Sequence, residues 1–239
     1  MLQVLMSMGG LGSRFAKEGY TTPKPLIEVD GKLMFMRALD SFKPVKNVQY
    51  IFVIRKEHDD THQLTQQIRA QIPNARINIL DHDTEGAVES CMVAANDIGD
   101  RDPIAIADCD IYFESTDYFK KIAADDKPDG MLLTFASTDP RYSYVETDKA
   151  GKVLRTAEKI VISNQALLGG YFFSTGAQFK ALASEFLSKP LAHDLKEYFV
   201  SHLFNMLLTR GGTVEIAKVD RKYIFGTPEE LQAYLKGMQ

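Results

Sequence analysis

Apolar positions in the first half of the chain alternate between two rhythms. Short apolar runs at 2–7, 49–54, 76–80 and 103–107 read as strands buried on both faces. The segments between them, 33–42, 60–70 and 86–97, carry apolar residues at helical spacing. That alternation predicts an α/β fold of the Rossmann-like kind, a mostly parallel sheet flanked by helices. Residues 117–124 read as a further helix and 130–136 as a β-rich run. The rhythm then changes. Strands at 142–147, 153–158 and 166–173 are joined by turn residues such as Asp148-Lys149-Ala150-Gly151, which predicts an antiparallel insertion. Helices at 176–187 and 194–210 follow, the second stopped by Gly211-Gly212. A late strand at 213–219 and a helix at 228–236, with Thr227 as N-cap and Pro228 at its first position, complete the pattern. There is no repeat, low-complexity tract or linker. The expectation is one domain over 1–239, with an N-terminal half (1–115) and a C-terminal half (116–239).

Composition narrows the class. Apolar residues make up 45% of the 239 residues and charged residues 25%, as in an ordinary globular domain. A net charge of −4 gives no nucleic-acid or anionic-membrane footprint, so any cations that hold a ligand must be local. The two cysteines, Cys91 and Cys109, have neither disulfide nor zinc spacing. The five histidines show no metal-ligand spacing, and His58, His62 and His82 are expected at the surface. No apolar run approaches the ~20 residues that span a bilayer. A cytoplasmic protein is expected.

The chemistry concentrates where the first strand ends. Met8-Gly9-Gly10-Leu11-Gly12-Ser13-Arg14-Phe15 is followed by Pro23-Lys24-Pro25-Leu26. Glycines let backbone N–H groups approach phosphate oxygens, and Ser13 adds a hydroxyl donor. Arg14 offers a planar fork and Lys24 a point charge. These are parts for gripping a nucleoside triphosphate. A Walker A loop would need a lysine after Gly12, and a dinucleotide fingerprint a small residue where Phe15 stands. Further on, Ala105-Ile106-Ala107-Asp108-Cys109-Asp110 puts two acids at the carboxyl end of an apolar strand, the edge at which open α/β sheets bind ligands. Buried acids there need a cation or hydrogen bonds. Mg²⁺ fits, Mn²⁺ is an alternative, and the other reading is that the acids cap the loop.

The segment from Met8 to Leu26 resembles the signature loop of the sugar-phosphate nucleotidyltransferases, G-G-x-G-[ST]-R-[LF] followed by P-K-P-L. Matched segments run from residue 4 to about 231. The chain is most similar to the compact capsule and polysaccharide type, which carries T-E-G-A as Thr84-Glu85-Gly86-Ala87 do here. The resemblance implies a GT-A-like nucleotidyltransferase fold, with a nucleotide-binding half at 1–115 and an acceptor-binding half at 116–239. It implies that Met8, Gly9, Gly10 and Leu11 hold base and ribose, that Gly12, Ser13 and Arg14 frame the triphosphate, and that Arg14 and Lys24 stabilise transition-state charge. Thr84, Glu85 and Gly86 would read the base. Asp108 would lie nearer the ribose, Cys109 would precede the metal aspartate, and Asp110 would be that aspartate. Relatives carry a second metal acid two residues before Gly-Thr-Pro-Glu. Here that position is Ile224, before Gly226-Thr227-Pro228-Glu229, which leaves Asp108 or Asp220 as the second ligand.

On the acceptor side the resemblance matches Ser143 and Tyr144 to the hairpin before the sugar pocket. Glu158-Lys159 matches the Glu-Lys pair, and Gly169 lies on the strand that follows. Glu158 would bind acceptor hydroxyls and Lys159 the acceptor phosphate. Glu197, on the helix at 194–210, is a further candidate, and Leu195, Phe199, His202, Leu203 and Met206 form that helix's core stripe.

The resulting expectation is an Mg²⁺-dependent nucleotidyltransferase. It would join a nucleoside triphosphate to a phosphorylated sugar or polyol, release pyrophosphate and make an activated precursor for polysaccharide assembly. Asp108-Cys109-Asp110 is also the D-x-D of metal-dependent glycosyltransferases, and the missing acid at Ile224 admits a silent nucleotide binder. Nucleobase and acceptor stay open. Relatives often form dimers or tetramers, which leaves a homo-oligomer open.

Overall fold

The computed structural model describes residues 1–191 and 195–237. In chain order its strands are β1 (Leu2–Met8), β2 (Glu28–Val29), β3 (Lys32–Leu33), β4 (Val48–Arg55), β5 (Arg76–Leu80), β6 (Ile104–Ala107), β7 (Ile111–Glu114), β8 (Gly130–Ala136), β9 (Ser143–Thr147), β10 (Val153–Glu158), β11 (Gln165–Phe173), β12 (Val214–Lys218) and β13 (Arg221–Ile224). The helices are α1 (Ser13–Lys17), α2 (Met34–Leu39), α3 (Lys56–His62), α4 (Leu64–Gln71), α5 (Ala87–Met92), α6 (Thr116–Ile122), α7 (Gly176–Leu187), α8 (Ser201–Thr209) and α9 (Pro228–Leu235). The main sheet runs β10-β9-β11-β6-β1-β4-β5, with β8 beside β11 and β12 beside β8. Strands β5, β4, β1 and β6 are mutually parallel. Strand β11 joins antiparallel to β6, and the β9–β10 hairpin extends the far edge.

The apolar runs are unbroken because both faces of these strands are covered. Met6, Phe52, Ile54 and Ala105 pack into the core on one side, and their neighbours Leu5, Ile51, Val53 and Ile104 into the core on the other. All eight are fully buried. Among the described residues no helix is long and apolar enough to cross a membrane.

Several expected elements are shorter or broken. The helix expected at 60–70 is two helices that meet at Gln63, whose φ is 53°. The Asp59 carboxylate takes the Thr65 N–H there at 2.7 Å. The helix expected at 86–97 keeps its α-form only to Met92. The helix expected at 194–210 begins at Ser201. Its first expected residue, Asp194, lies outside the described residues, and Glu197 and Phe199 are not helical. Backbone pairing of Tyr198 with Glu85 and Val88 takes the place of helical hydrogen bonds there. The ribbon of β7 and β13 was not expected at all. Asp108-Cys109-Asp110 separates β6 from β7, and Ile224 pairs with Ile111 across the ribbon.

Candidate nucleotide and acceptor site

The site lies where β1, β4 and β6 end at their carboxyl edge. Chain leaving β1 passes through Gly9 to Gly12 before α1. Gly12 sits at φ 62° and turns the chain into that helix. Gly9 is a packing requirement: a Cβ there would lie 2.8 Å from Leu80 Cδ2 and 3.2 Å from Ser90 Oγ. The loop borders a cleft of about 610 Å³. Gly9, Gly10, Leu11 and Ser13 line one wall, and Thr84 and Gly86 another. Thr84 Oγ1 and Ser90 Oγ are 2.6 Å apart, and the Ser90 hydroxyl donates to the Gly86 carbonyl at 3.2 Å. Gly86, at φ 147°, lies so close to the Tyr198 backbone that no side chain fits. The Glu85 side chain is exposed and does not line the cleft, while its carbonyl accepts from Tyr198 N at 2.9 Å.

A smaller cavity of about 120 Å³ shares Ser7, Gly10 and Asp108 with the main cleft. Met8, Lys24, Cys109 and Asp110 also line it. The Lys24 ammonium donates to Asp110 Oδ2 at 2.9 Å. Burial disfavours the Lys24 cation, but the charge and hydrogen bond of Asp110 outweigh it and hold the ammonium above its ordinary pKa. Asp108 is the opposite case. Burial, reinforced by the Asp110 charge, raises its carboxyl well above the ordinary carboxylate range, against the pull of Lys24. Burial pushes the Cys109 thiol up to about 12, so it stays protonated and is a poor metal donor.

Asp108 and Asp110 could hold a divalent cation. The fit is one of donor chemistry: two hard carboxylates, one of them buried and disfavoured as an anion without a counter-charge. Mg²⁺ commonly takes one or two protein carboxylates and fills the rest with water and phosphate oxygens. No group of three or more candidate ligands exists among the described residues. Ile224 lies beside Asp110, since Phe225 N donates to the Asp110 carbonyl at 2.8 Å. Asp220 does not supply the missing acid. Its carboxylate takes the Thr116 N–H at 2.7 Å and the Thr116 hydroxyl at 2.9 Å. It stands beyond the Glu114 end of the ribbon, whereas Asp110 precedes the Ile111 end, roughly 13 Å away along four residues of strand.

On the acceptor side, Ser143, Glu158, Tyr171 and Phe199 line the main cleft. The Ser143 hydroxyl donates to Glu158 Oε2, and Ser201 Oγ donates to the same oxygen at 3.0 Å. Gly169 lines nothing, but it makes room: its Cβ position falls inside the Asp108 carboxyl. Tyr144 corrects the expectation. It is fully buried and its hydroxyl donates to the Asp139 carbonyl at 2.7 Å, so it cannot touch an acceptor. Lys159 lies outside the cleft lining. Its ammonium stacks 4.7 Å from the centre of the Phe199 ring, and its φ is 55°. Arg14 is exposed on α1 and borders neither cavity.

Two residues that line the cleft were not among the expected site residues. Phe199, assigned to a helix core stripe, instead faces the cleft beside Glu197, which is exposed at its rim. Arg55, at the end of β4, is 6% exposed and also lines the cleft. A charged residue closing an apolar strand was the available hint.

Solved structures share this architecture throughout the chain. A nucleoside-diphosphate-sugar pyrophosphorylase from Vibrio cholerae RC9 superposes with a TM-score of 0.83 at 24% identity, over 99% of this chain and 100% of its own. An inositol-1-phosphate CTP transferase from T. maritima gives 0.78 at 14%, over 99% and 94%. A UDP-glucose pyrophosphorylase complexed with UDP-glucose gives 0.71 at 18%, over 99% of both chains. A search of curated protein sequences finds no match. The MobA-like NTP transferase domain matches residues 5–182, three quarters of the chain, a span that includes the glycine loop, Lys24, Asp108, Asp110 and Glu158; the chain belongs to that family and is a nucleotidyltransferase.

Proposed function

We propose that the chain transfers a nucleoside monophosphate from a nucleoside triphosphate to a phosphorylated sugar or polyol and releases pyrophosphate. The observation that carries this is that the two cavities adjoin, with Ser7, Gly10 and Asp108 in the lining of both. The glycine loop, the Lys24–Asp110 pair and Asp108 border one end, and Glu158 and Phe199 the other. In this reading the triphosphate lies along the loop and the acceptor beside Glu158. An acceptor phosphate oxygen attacks the α-phosphorus in line. The new P–O bond forms as the bond from the α-phosphorus to the bridging oxygen breaks, and pyrophosphate leaves with the electron pair. The acceptor is already an anion at neutral pH, so no general base is needed.

Such a reaction is accelerated by positioning and charge neutralisation. Lys24 holds a fixed positive charge within reach of the phosphates. Arg14 and Lys159 line neither cavity as they stand, and would supply further cations only by turning their long side chains inward. Glu158, oriented by Ser143 and Ser201, accepts hydrogen bonds from acceptor hydroxyls. Mg²⁺ held by Asp110 and Asp108 would neutralise phosphate charge. The names of the solved relatives support a nucleotide-sugar product, and the resemblance to capsule-type enzymes supports a role in polysaccharide precursor supply.

The test is a thermal-shift series with CTP, UTP, GTP, dTTP and ATP, each with Mg²⁺ and with EDTA. Pyrophosphate release is then measured against sugar 1-phosphates and polyol phosphates. A metal-dependent rise in melting temperature with one triphosphate, and pyrophosphate release with one acceptor, is the expected result. Stabilisation by nucleoside diphosphate-sugars alone would instead favour a glycosyltransferase.

A further inference from the structure

The cation buried deepest beside the glycine loop has no part in the scheme above. Arg55 closes β4, and its guanidinium fork reaches in two directions. Nη1 donates to the Gly9 carbonyl at 3.0 Å and Nη2 to Asp83 Oδ1 at 2.8 Å, with the Glu57 carboxylate 3.6 Å away. The Nε donor is buried and has no partner. A guanidinium carries five N–H groups, so two hydrogen bonds leave this buried charge incompletely satisfied. Incomplete satisfaction of a buried ion is costly, and an apolar residue would end an apolar strand at less cost. The two groups that Arg55 ties together lie on separate walls of the main cleft. Gly9 opens the glycine loop, and Asp83 precedes Thr84, Glu85 and Gly86. Asp83 is otherwise exposed, and its bond to Arg55 links that wall directly to the end of β4.

We propose that Arg55 is a positioning residue for the nucleoside end of the triphosphate, acting by setting the gap between the glycine loop and the Asp83–Gly86 loop. The inference rests on the cleft being a nucleoside triphosphate site. A fork is required rather than a charge: lysine offers a point charge and cannot hold a carbonyl and a carboxylate in two fixed directions. The Lys24–Asp110 pair at the phosphate end is a separate contact that includes neither Arg55 nor Asp83.

The experiment compares two ligands on Arg55→Lys, Arg55→Met and Asp83→Asn by isothermal titration calorimetry. One is the Mg²⁺–triphosphate that stabilises the wild-type protein most, and the other is Mg²⁺–pyrophosphate, which lacks a nucleoside. Both Arg55 variants are expected to lose about tenfold to a hundredfold in triphosphate affinity while pyrophosphate affinity stays within about twofold. Asp83→Asn changes an exposed side chain and should fold normally. It is expected to lose triphosphate affinity several-fold and to keep pyrophosphate affinity. Equal losses for both ligands, or unchanged triphosphate affinity in Asp83→Asn and Arg55→Lys, would overturn the assignment. A wild-type protein that binds no triphosphate would overturn the cleft reading itself, and this inference with it.

Discussion

Lys24 Nζ lies 2.9 Å from Asp110 Oδ2, in a cavity that both side chains line with Asp108. The pair joins a residue of the first loop to one at the end of β6, 86 positions later. In the absence of ligand each charge satisfies the other. With phosphate present, the lysine would exchange part of that contact for the transferring group. Lys24→Met is therefore expected to reduce pyrophosphate release about a hundredfold to a thousandfold, the usual loss for one fixed donor at a developing charge. It also leaves Asp110 without its partner, and partial exposure limits that cost to about 1–3 kcal/mol. A variant that keeps a near-wild-type rate would remove Lys24 from the chemistry.

Asp110→Asn and Asp108→Asn separate the two carboxylates. If both hold the metal, each should weaken Mg²⁺-dependent triphosphate stabilisation by tenfold or more in apparent affinity, on the order of 1.4 kcal/mol. Asp110→Asn should also release Lys24, which becomes measurable as faster chemical acylation of that amine. Loss of the metal effect in Asp110→Asn but not in Asp108→Asn would leave Asp110 as the only protein ligand. Retention in both would take the metal elsewhere.

The alternating sheet was legible in the sequence because its physics is local. Strands such as β5, β8 and β10 end where their flanking polar and glycine residues say they should. The glycine loop and the two acids were legible too, since each stands directly after an apolar run. What escaped was set by contacts distant in the chain. Glu197 and Phe199 read as helical, yet Tyr198 pairs with Glu85 and Val88 and holds the segment as a strap along the cleft. The β7–β13 ribbon depends on partners more than a hundred residues apart. Tyr144 and Asp220 were assigned by position along a motif. One turns into the core and the other caps Thr116, and neither direction follows from spacing.

Tyr144→Phe provides a control for the acceptor site. The hydroxyl it removes bonds only to the Asp139 carbonyl among the described contacts. Stability should fall by about 1 kcal/mol, seen in denaturant unfolding, and the KM for acceptor should be unchanged. Ser143→Ala alters the next residue, whose hydroxyl does reach Glu158, and should raise that KM. Reversal of the two outcomes would mean that the hairpin presents its other face.

Lys159 holds φ at 55°, a conformation that costs a non-glycine side chain roughly 1–2 kcal/mol. Its ammonium rests on the Phe199 ring. Strain of this kind persists where the surrounding structure fixes the residue. Lys159→Gly should relieve it and raise the unfolding free energy by up to about 1 kcal/mol, while weakening use of the acceptor phosphate. Glycine that neither stabilises the fold nor impairs turnover would make Lys159 a bystander.

His58 ties stability to pH, first through its burial and then through Arg55. It is half-buried on α3, and its Nδ1 is buried without a partner. Burial, then the positive charge of Arg55, lowers its pKa below the ordinary value of 6.5, while Glu57 opposes and His62 adds to the shift. The unfolded chain therefore binds a proton that the folded chain resists, so stability rises with pH across this range. His58's contribution is complete above about pH 6.5 and declines as the pH falls through that value toward the lower folded pKa. Wild-type protein should lose more melting temperature between pH 7.5 and pH 5.5 than His58→Gln does, at about 0.15 M salt. Arg55→Met removes one cause of the shift, so the His58 ring should titrate at higher pH in that variant by NMR. Unchanged titration would show that burial alone sets it, and that the guanidinium is screened from the ring.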